Sequence, residues 1–490
     1  MSFLELVERV YSIFGVLQYI EYIFKLCFFS YLMKAMIGLE IHGYIETDEK
    51  LFCTCRNFHD MKQIKPNVNI CPVCTGQPGS KPMLPNTSAV SKILQIGLML
   101  NCKPNLVNNG KVLVFQRKHY NWPDMPHGYQ RTISGAYSIP VAEDGKFLGI
   151  RIRGVHLEED PAAWNPDTGK IDYNRAGSPL VEIVTEPDFK SADEVAGWLK
   201  QLVLTLSYIK ALNKDAGIKA DVNVNIKGLS ERAEIKNVNS IKEIVKAINS
   251  ELKRHEKEKP KGMETRRCNS EDEKTELMRT KEDQADYRFI PDPDLPVIKI
   301  DVKRVRNLEK ELPESPMEKL DKIIKKHKID KKNAEILIKN LEIAELYEQV
   351  IKKVDAKFAL PWITVEWFGV LNFNKKTMND VKVDSKHFVE LLDLLRKGKI
   401  TPLKTKDILR KFIPKSFSPG KEVGKVGKID DKSELKKIVS KVLEKNKKSV
   451  EDYRAGEKKA FNFLMGQVMG ATQKRADYQI VRKLLEGELR

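Results

Sequence analysis

The stretch HLEEDPAAWNPDTGKIDYNRAGSPLVEIVTEPD, residues 156–188, decides how the chain is read. Two strand-like apolar runs, RIRGVHLEE and PLVEIVTE, bracket the polar loop 160–178, which predicts an antiparallel pair. On and beside those runs stand Glu158, Glu159, Asp160, Glu182, Glu186 and Asp188. Carboxylates gathered in a partly dry site raise each other's pKa unless a cation neutralises them. A hard cation with oxygen ligands, Mg2+ or Ca2+, is the usual partner, and Mg2+ characteristically keeps waters and sits beside phosphates. A solvated acidic hairpin is the competing reading.

Upstream, MIGLEIHGYIE (36–46) alternates as a strand does. Side chains two apart share a face, so Glu40 and His42 lie together on an otherwise apolar strand. A lone histidine there is commonly structural; beside an acidic cluster the pair becomes part of one candidate cation site. Asn86 caps a predicted helix running to about Leu100. Ser191-Ala-Asp-Glu194 and Ser240-Ile-Lys-Glu243 are capping boxes, in which the serine meets an orphan helix N–H and the glutamate reaches back. They start helices of about 191–210 and 240–256, flanking strands at 221–226 and 232–236. Ser315-Pro316-Met317-Glu318 then opens a region of helical periodicity. IPKSFSPGKEVGKVGKID (413–430) reads as a linker. The expected fold class is α+β. The expected parts are an apolar extension (1–33), a mixed α and β domain with an antiparallel sheet (34–302), a helical domain (303–412), the linker (413–430) and a small helical tail (431–490).

Cys53-Thr-Cys55, then fifteen residues, then Cys71-Pro-Val-Cys74 reads as a tetrahedral four-cysteine zinc knuckle. Each short spacing lets two thiolates reach one metal, and the loop between them closes the cage. Reduced core thiols are the plain alternative, and His59 is a possible substitute ligand. A saturated all-cysteine site is structural. Cys27, Cys102 and Cys268 are scattered, which argues against a disulfide framework and for a reducing compartment. Arg117-Lys118-His119-Tyr120-Asn121-Trp122-Pro123-Asp124 interleaves base and aromatic groups, apt for phosphate contact and for stacking on a nucleotide, or for an ordinary packed turn.

The charge is uneven. The chain of 490 residues carries 86 Lys+Arg against 68 Asp+Glu, a formal +18, and residues 401–490 hold 23 against 12. That basic end suits a polyanion such as nucleic acid, although lysine-rich solvated helix faces look the same. The first 33 residues are apolar but interrupted by Gln18, Glu21 and Lys25, and they lack the basic start and small-residue cleavage site of a signal peptide. They read as an amphipathic extension, with Met33 or Met36 as an alternative start, and nothing else in the chain is expected to span a membrane. There is no G-x-x-x-x-G-K-[ST], no Gly/Ser-rich amidase signature, and no cysteine in a nucleophile context.

Taken in order, MIGLEIHGYIE, the CxC…CPVC pair, GQPGSKPMLPN, RKHYNWPDMPHGYQRTISG, GVHLEEDPAAW, DYNRAGSPLVEIVTEPD, DVNVNI, AEIKNVNSIKEIVKAI, DYRFIPDPDLP and FNFLMGQVMGAT resemble the B subunit, GatB, of the GatCAB tRNA-dependent amidotransferases. The resemblance is dense over about 35–305, moderate in the tail and weak in the middle helices; the first 33 residues lie outside it. It implies a cradle-like catalytic domain, a helical domain and a tail domain. It implies ATP-dependent phosphorylation of the side-chain carboxylate of Asp-tRNA(Asn) or Glu-tRNA(Gln), then displacement of phosphate by ammonia. By that analogy Glu40, His42, Glu158, Glu159 and Glu182 handle Mg2+ and ATP, with Asp221 and Lys118 beside them. His42, Glu158 and Glu182 are the expected magnesium ligands, and Cys53, Cys55, Cys71 and Cys74 the zinc ligands. Lys458, Lys459, Lys474 and Arg475 are expected to meet tRNA phosphates. The implied partners are GatA, an amidase-like glutaminase, and the small GatC, in a cytoplasmic heterotrimer. Two rivals remain: the archaeal paralogue specific for Glu-tRNA(Gln), which needs an inserted domain that DYRFIPDPDLPVIKI leaves no room for, and a non-catalytic zinc-dependent tRNA-binding scaffold.

Overall fold

A computed structural model describes the chain outside residues 1–34, 59–63, 120–121, 136, 213–217, 270–273, 281–287, 423–426, 430 and 490; for 237, 269, 280, 379 and 422 it describes the backbone alone. The N-terminal extension and His59 lie outside the described residues, as do Tyr120 and Asn121 of the basic–aromatic motif. The chain divides into two compact units between Ser315 and Pro316.

The first unit is built on β1 (Ala35–Tyr44), β2 (Lys103–Pro104), β3 (Gln116–His119), β4 (Tyr129–Thr132), β5 (Ala142–Phe147), β6 (Ile150–Glu159), β7 (Ala163–Trp164), β8 (Ile171–Asp172), β9 (Pro179–Thr185), β10 (Ile218–Ile226), β11 (Ala233–Val238), β12 (Glu264–Asn269), β13 (Lys274–Thr280) and β14 (Arg288–Pro291). Twelve of these form one sheet in the order β13-β12-β11-β10-β1-β9-β6-β4-β3-β14, with β5 joining β6 to β2 at the side. Every pairing is antiparallel except β11 with β12. β6 and β9 are the expected antiparallel pair, and the loop between them carries its own small sheet, β7–β8.

Alternation explains the layering. In β1 the side chains of Ile37, Leu39 and Ile41 are buried in one apolar cluster with Val181 and Ile183 of β9 and Ala220, Val222 and Val224 of β10. The helices Thr87–Met99, Ala192–Tyr208 and Ile241–Glu258 add Ile93, Leu94, Val195, Leu199, Leu202, Ile244 and Ile248 to that cluster. Each such side chain stabilises the fold by roughly 1.5–3 kcal/mol on burial. The other face of the same strands is left for polar residues. Asn86 accepts from Ser88 and Ala89, and Ser191 and Ser240 accept from the N–H groups of Glu194 and Glu243, so the helices begin where expected. At Ser191 the return bond differs: the Glu194 carboxylate takes the N–H of Lys190, one residue before the cap.

The second unit is helical. Trp367, Phe388 and Phe412 pack edge-to-face at 6.2–6.5 Å between ring centroids. A second apolar cluster joins Leu435, Val439, Leu464, Val468, Val481 and Leu485. Both clusters, and the 413–430 stretch between them, fall in this one unit. Ser416 of that stretch is buried, its hydroxyl accepting from the Asp384 N–H and meeting His387 Nδ1, and Ser418 donates to Glu390. Its first residues therefore pack against the helix Ser385–Arg396. The fold is α+β, and among the described residues no helix is long and apolar enough to cross a membrane.

Candidate active site and four-cysteine metal site

The polar face of the sheet gathers its residues by register. His42 lies opposite Glu182, Glu182 lies opposite His156, Glu40 lies opposite Asp221, and Glu158 lies opposite Thr132. His42 Nε2 is 3.8 Å from Glu40 Oε1 and 3.7 Å from Glu158 Oε2. One donor atom each from Glu40, His42 and Glu182 lie within 4.8 Å of one another. Glu158 and Glu182 are buried, while Glu40 and His42 keep part of their surface open. Two carboxylates and an imidazole at this spacing, with Glu158 beside the imidazole, form a donor set suited to a hard divalent cation.

Electrostatics separates the two buried glutamates. Burial pushes Glu158 up, but the Lys118 ammonium, His42 and the Thr132 hydroxyl outweigh it, so its carboxyl lies below the usual value. Thr132 Oγ1 donates to Glu158 Oε1 at 2.6 Å, Ser134 Oγ at 3.3 Å, and Gln130 Nε2 reaches Oε2 at 3.4 Å. Glu182 is raised well above the ordinary value, by burial first and then by the charges of Glu158 and Glu40. They are a coupled pair in which a proton is kept more readily at Glu182 than at Glu158. Lys118 reaches this face from β3, across from Gln130.

A second group, Glu40, Asp221 and Glu234, has the same spacing. There Lys236 Nζ already sits 2.6 Å from Asp221 and 2.7 Å from Glu234.

Several sequence candidates lie elsewhere. Glu159 does not join its neighbour: it points to the opposite face of β6, accepting the Arg131 N–H at 2.8 Å and facing the Arg131 guanidinium at 3.5 Å. Consecutive strand residues point to opposite sides, so only one of the two can serve the site. Asp160 accepts from the Tyr44 hydroxyl at 2.9 Å and pairs with Arg175 at 3.2 Å. Glu186 and Asp188 form surface pairs with Arg153 and Arg151. In the tail, Lys458 and Lys459 are exposed, but Lys474 is paired with Asp407 at 2.6 Å and Arg475 donates to the Gly427 carbonyl at 2.8 Å. The last two are engaged within the protein rather than free for phosphate.

Sequence reasoning missed other members of this face. His156 is two residues from Glu158, the same signal that paired Glu40 with His42. Its Nδ1 meets the Ile133 carbonyl at 2.9 Å, and its ring stands over Gly154, where a Cβ would come within 2.9 Å of Nε2. Thr132, Gln130 and Lys236 gave no local signal, because strand pairing alone brings them in.

The four cysteines converge as their spacing predicts, their sulfurs within 4.8 Å of one another. The Cys71 N–H points at Cys74 Sγ, 3.2 Å away. The hydrogen bond from Cys53 holds the Cys74 thiol down at about 5, with burial opposing and the Lys50 ammonium assisting. A closed, all-sulfur donor set fits a structural metal. Gly76 makes the approach possible: at φ 65° its hydrogen faces the Pro126 carbonyl, where a Cβ would be 2.2 Å from the oxygen.

Residues 35–306 match the GatB/GatE catalytic domain and residues 345–489 match the GatB domain. A protein of Methanopyrus kandleri, named as the B subunit of an aspartyl/glutamyl-tRNA(Asn/Gln) amidotransferase, is 40% identical over 463 residues, covering 92% of this chain and 98% of its own. The proteins of that name from Methanocaldococcus jannaschii and Methanobrevibacter smithii are 40% and 42% identical, covering 93% and 92% of this chain and 98% and 99% of their own. With both domain matches in sequence order and relatives aligned almost end to end, the chain belongs to the GatB/GatE family.

Proposed function

We propose that the chain is the GatB component of a tRNA-dependent amidotransferase, a carbon–nitrogen ligase, that converts the side-chain carboxylate of Asp-tRNA(Asn), Glu-tRNA(Gln) or both into an amide. The observation that carries this reading is the convergence of Glu40, His42, Glu158 and Glu182 on one sheet face. A carboxylate is a poor electrophile, so the reaction runs in two steps. The carboxylate oxygen attacks the γ-phosphorus of ATP and ADP leaves. Ammonia nitrogen then attacks the acyl carbon, the carbon–oxygen bond breaks, and phosphate departs with the electron pair while nitrogen sheds one proton.

His42, Glu158 and Glu182, with Glu40 beside them, would hold Mg2+, which when bound neutralises the ATP phosphates and orients them in line. Thr132, Ser134 and Gln130 fix the Glu158 carboxylate so that it meets a cation without rearranging. Lys118 offers a positive charge on the same face, for phosphate or for guiding ammonia. Asp221 stands beside the site, held by Lys236. The four cysteines would hold Zn2+ as a structural centre. Ammonia would come from GatA, the amidase-like glutaminase, with the small GatC completing a heterotrimer in the cytoplasm. The exposed lysines of the tail, Lys458 and Lys459, would meet the tRNA.

Reconstitution with GatA and GatC, offering ATP, glutamine and each misacylated tRNA, tests this. Glu158→Ala is expected to abolish phosphorylation of the aminoacyl carboxylate with little change in tRNA affinity. Unaltered turnover in that variant removes Glu158 from the site, and glutamine-dependent activity of the chain alone overturns the division of labour.

A further inference from the structure

Lys50 is one of the most deeply buried charged residues in the chain, with 1% of its surface exposed. Its ammonium donates to two neutral acceptors, the carbonyls of Asn69 and Tyr173, both at 3.3 Å. Among the described residues it has no carboxylate within 4.0 Å. An ammonium taken out of water without an anion is strongly disfavoured, and two long bonds to carbonyl oxygens do not replace one.

The four-cysteine group next to it can supply that anion. Gly177 lies against both partners: a Cβ there would be 3.8 Å from Cys74 Cβ and 3.9 Å from Lys50 Cδ. The Lys50 N–H also donates to the Cys55 carbonyl, and the Leu51 N–H to the Gly177 carbonyl. Four thiolates around a divalent metal carry a net charge of two minus, and here Cys53 and Cys74 are buried.

We propose that Lys50 is the built-in counter-charge of the metal–tetrathiolate centre, and that it fastens that centre to the segment Tyr173–Gly177 leading into β9. This rests on the four-cysteine group holding a divalent metal. Lys50 is a positioning residue: it touches no substrate, and its charge stabilises the loaded cage. The tether through the Tyr173 carbonyl then links the state of the metal centre to the strand that carries Glu182.

The test is zinc release from the full-length protein to a chromophoric chelator, with zinc content measured beforehand. Lys50→Gln keeps a donor for the carbonyls and removes the charge; Lys50→Arg keeps the charge. Loss of an outer-shell partner typically weakens metal binding about 10–100-fold, so Lys50→Gln should release zinc faster by a factor in that range while Lys50→Arg stays near wild type. Should Lys50→Gln not fold, Lys50→Arg against wild type still decides: rapid release from a folded arginine variant overturns the role of charge. Equal release from wild type and Lys50→Gln overturns the assignment while leaving the metal site standing. A wild-type protein that folds without bound metal overturns both.

Discussion

Glu182 shows what a single side chain does when its surroundings forbid its charge. Its pKa in the fold is raised well above the ordinary glutamate value of 4.5, first by burial and then by Glu158 and Glu40. A carboxyl raised in this way supports the fold fully below 4.5, and that support is lost as pH climbs through the raised value. Glu182→Gln should therefore stabilise the metal-free protein at pH 7 by on the order of 1–2 kcal/mol, a few degrees in melting temperature, and by progressively less toward pH 4.5. Added Mg2+ should raise the melting temperature of the wild type and leave that of the variant nearly unmoved; an equal response of both to Mg2+ would falsify the cation reading of this carboxylate. Glu159 lies outside that site. Burial raises it in spite of the Arg131 guanidinium, which also pairs with Asp292, so Mg2+ titration of a folded Glu159→Gln variant should follow the wild type. This pair also marks where the sequence stopped being readable. Period-two alternation brought Glu40 and His42 together, and the same rule applied to His156-Leu157-Glu158-Glu159 selects His156 and Glu158 and rejects Glu159. Thr132 and Lys236 were beyond reach, since partners across strands are set by register between segments far apart in the chain.

At the scale of elements, the helix Ile241–Glu258 is tied to the edge of the sheet by the pair of Arg254 with Glu264 of β12 and, more deeply, by one buried carboxylate. Glu251 meets Arg254 of its own helix, Arg266 of β12 and Thr275 of β13, with His255 Nε2 3.5 Å away. Burial pushes Glu251 up, but the hydrogen bonds from His255, Thr275 and Arg254 prevail and hold it at about 2. A carboxylate lowered in this way contributes stability above the ordinary value of 4.5 and loses it as pH falls toward about 2. Between those limits, hydrogen exchange should quicken in β12 and β13 before it does in β1 and β9, and Glu251→Gln should show the same pattern already at pH 7. Uniform exchange across the sheet would contradict the attachment. The knuckle offers a steric counterpart. Gly76→Ala must both strain a backbone at φ 65° and displace the Pro126 carbonyl, so it should destabilise the fold by about 2–4 kcal/mol and raise the fraction of protein isolated without metal. Elements such as these were partly legible beforehand. Asn86, Ser191 and Ser240 announced their helices because a cap is a local interaction, whereas the buried tie at Glu251 joins residues that read separately as an ordinary charged helix and hairpin.

Over the whole molecule, charge is the property that composition reports best and pairing modifies most. Residues 401–490 carry 23 basic against 12 acidic groups, yet several of those cations are already spoken for. Lys428 pairs with Asp477, Lys474 with Asp407, and Lys436 with Glu488. Lys458 and Lys459 stand exposed on the first turn of the helix Lys458–Ala471, where the unpaired N–H groups of the helix end add to their positive potential. RNA affinity measured against salt separates the two classes. Each lysine that neutralises a phosphate contributes about 0.7–0.9 to the slope of log affinity against log salt, so the double variant Lys458→Ala, Lys459→Ala should flatten that slope by up to about 1.8 and weaken binding most at low salt. Lys474→Ala should leave the slope alone and instead lower the melting temperature slightly, because Asp407 loses its nearer partner and keeps Arg410 at 3.2 Å. If the exposed pair proves silent and Lys474 carries the salt dependence, then the Asp407 bridge opens when RNA binds, and the division between fold-holding and RNA-facing cations drawn from pairing has to be reversed.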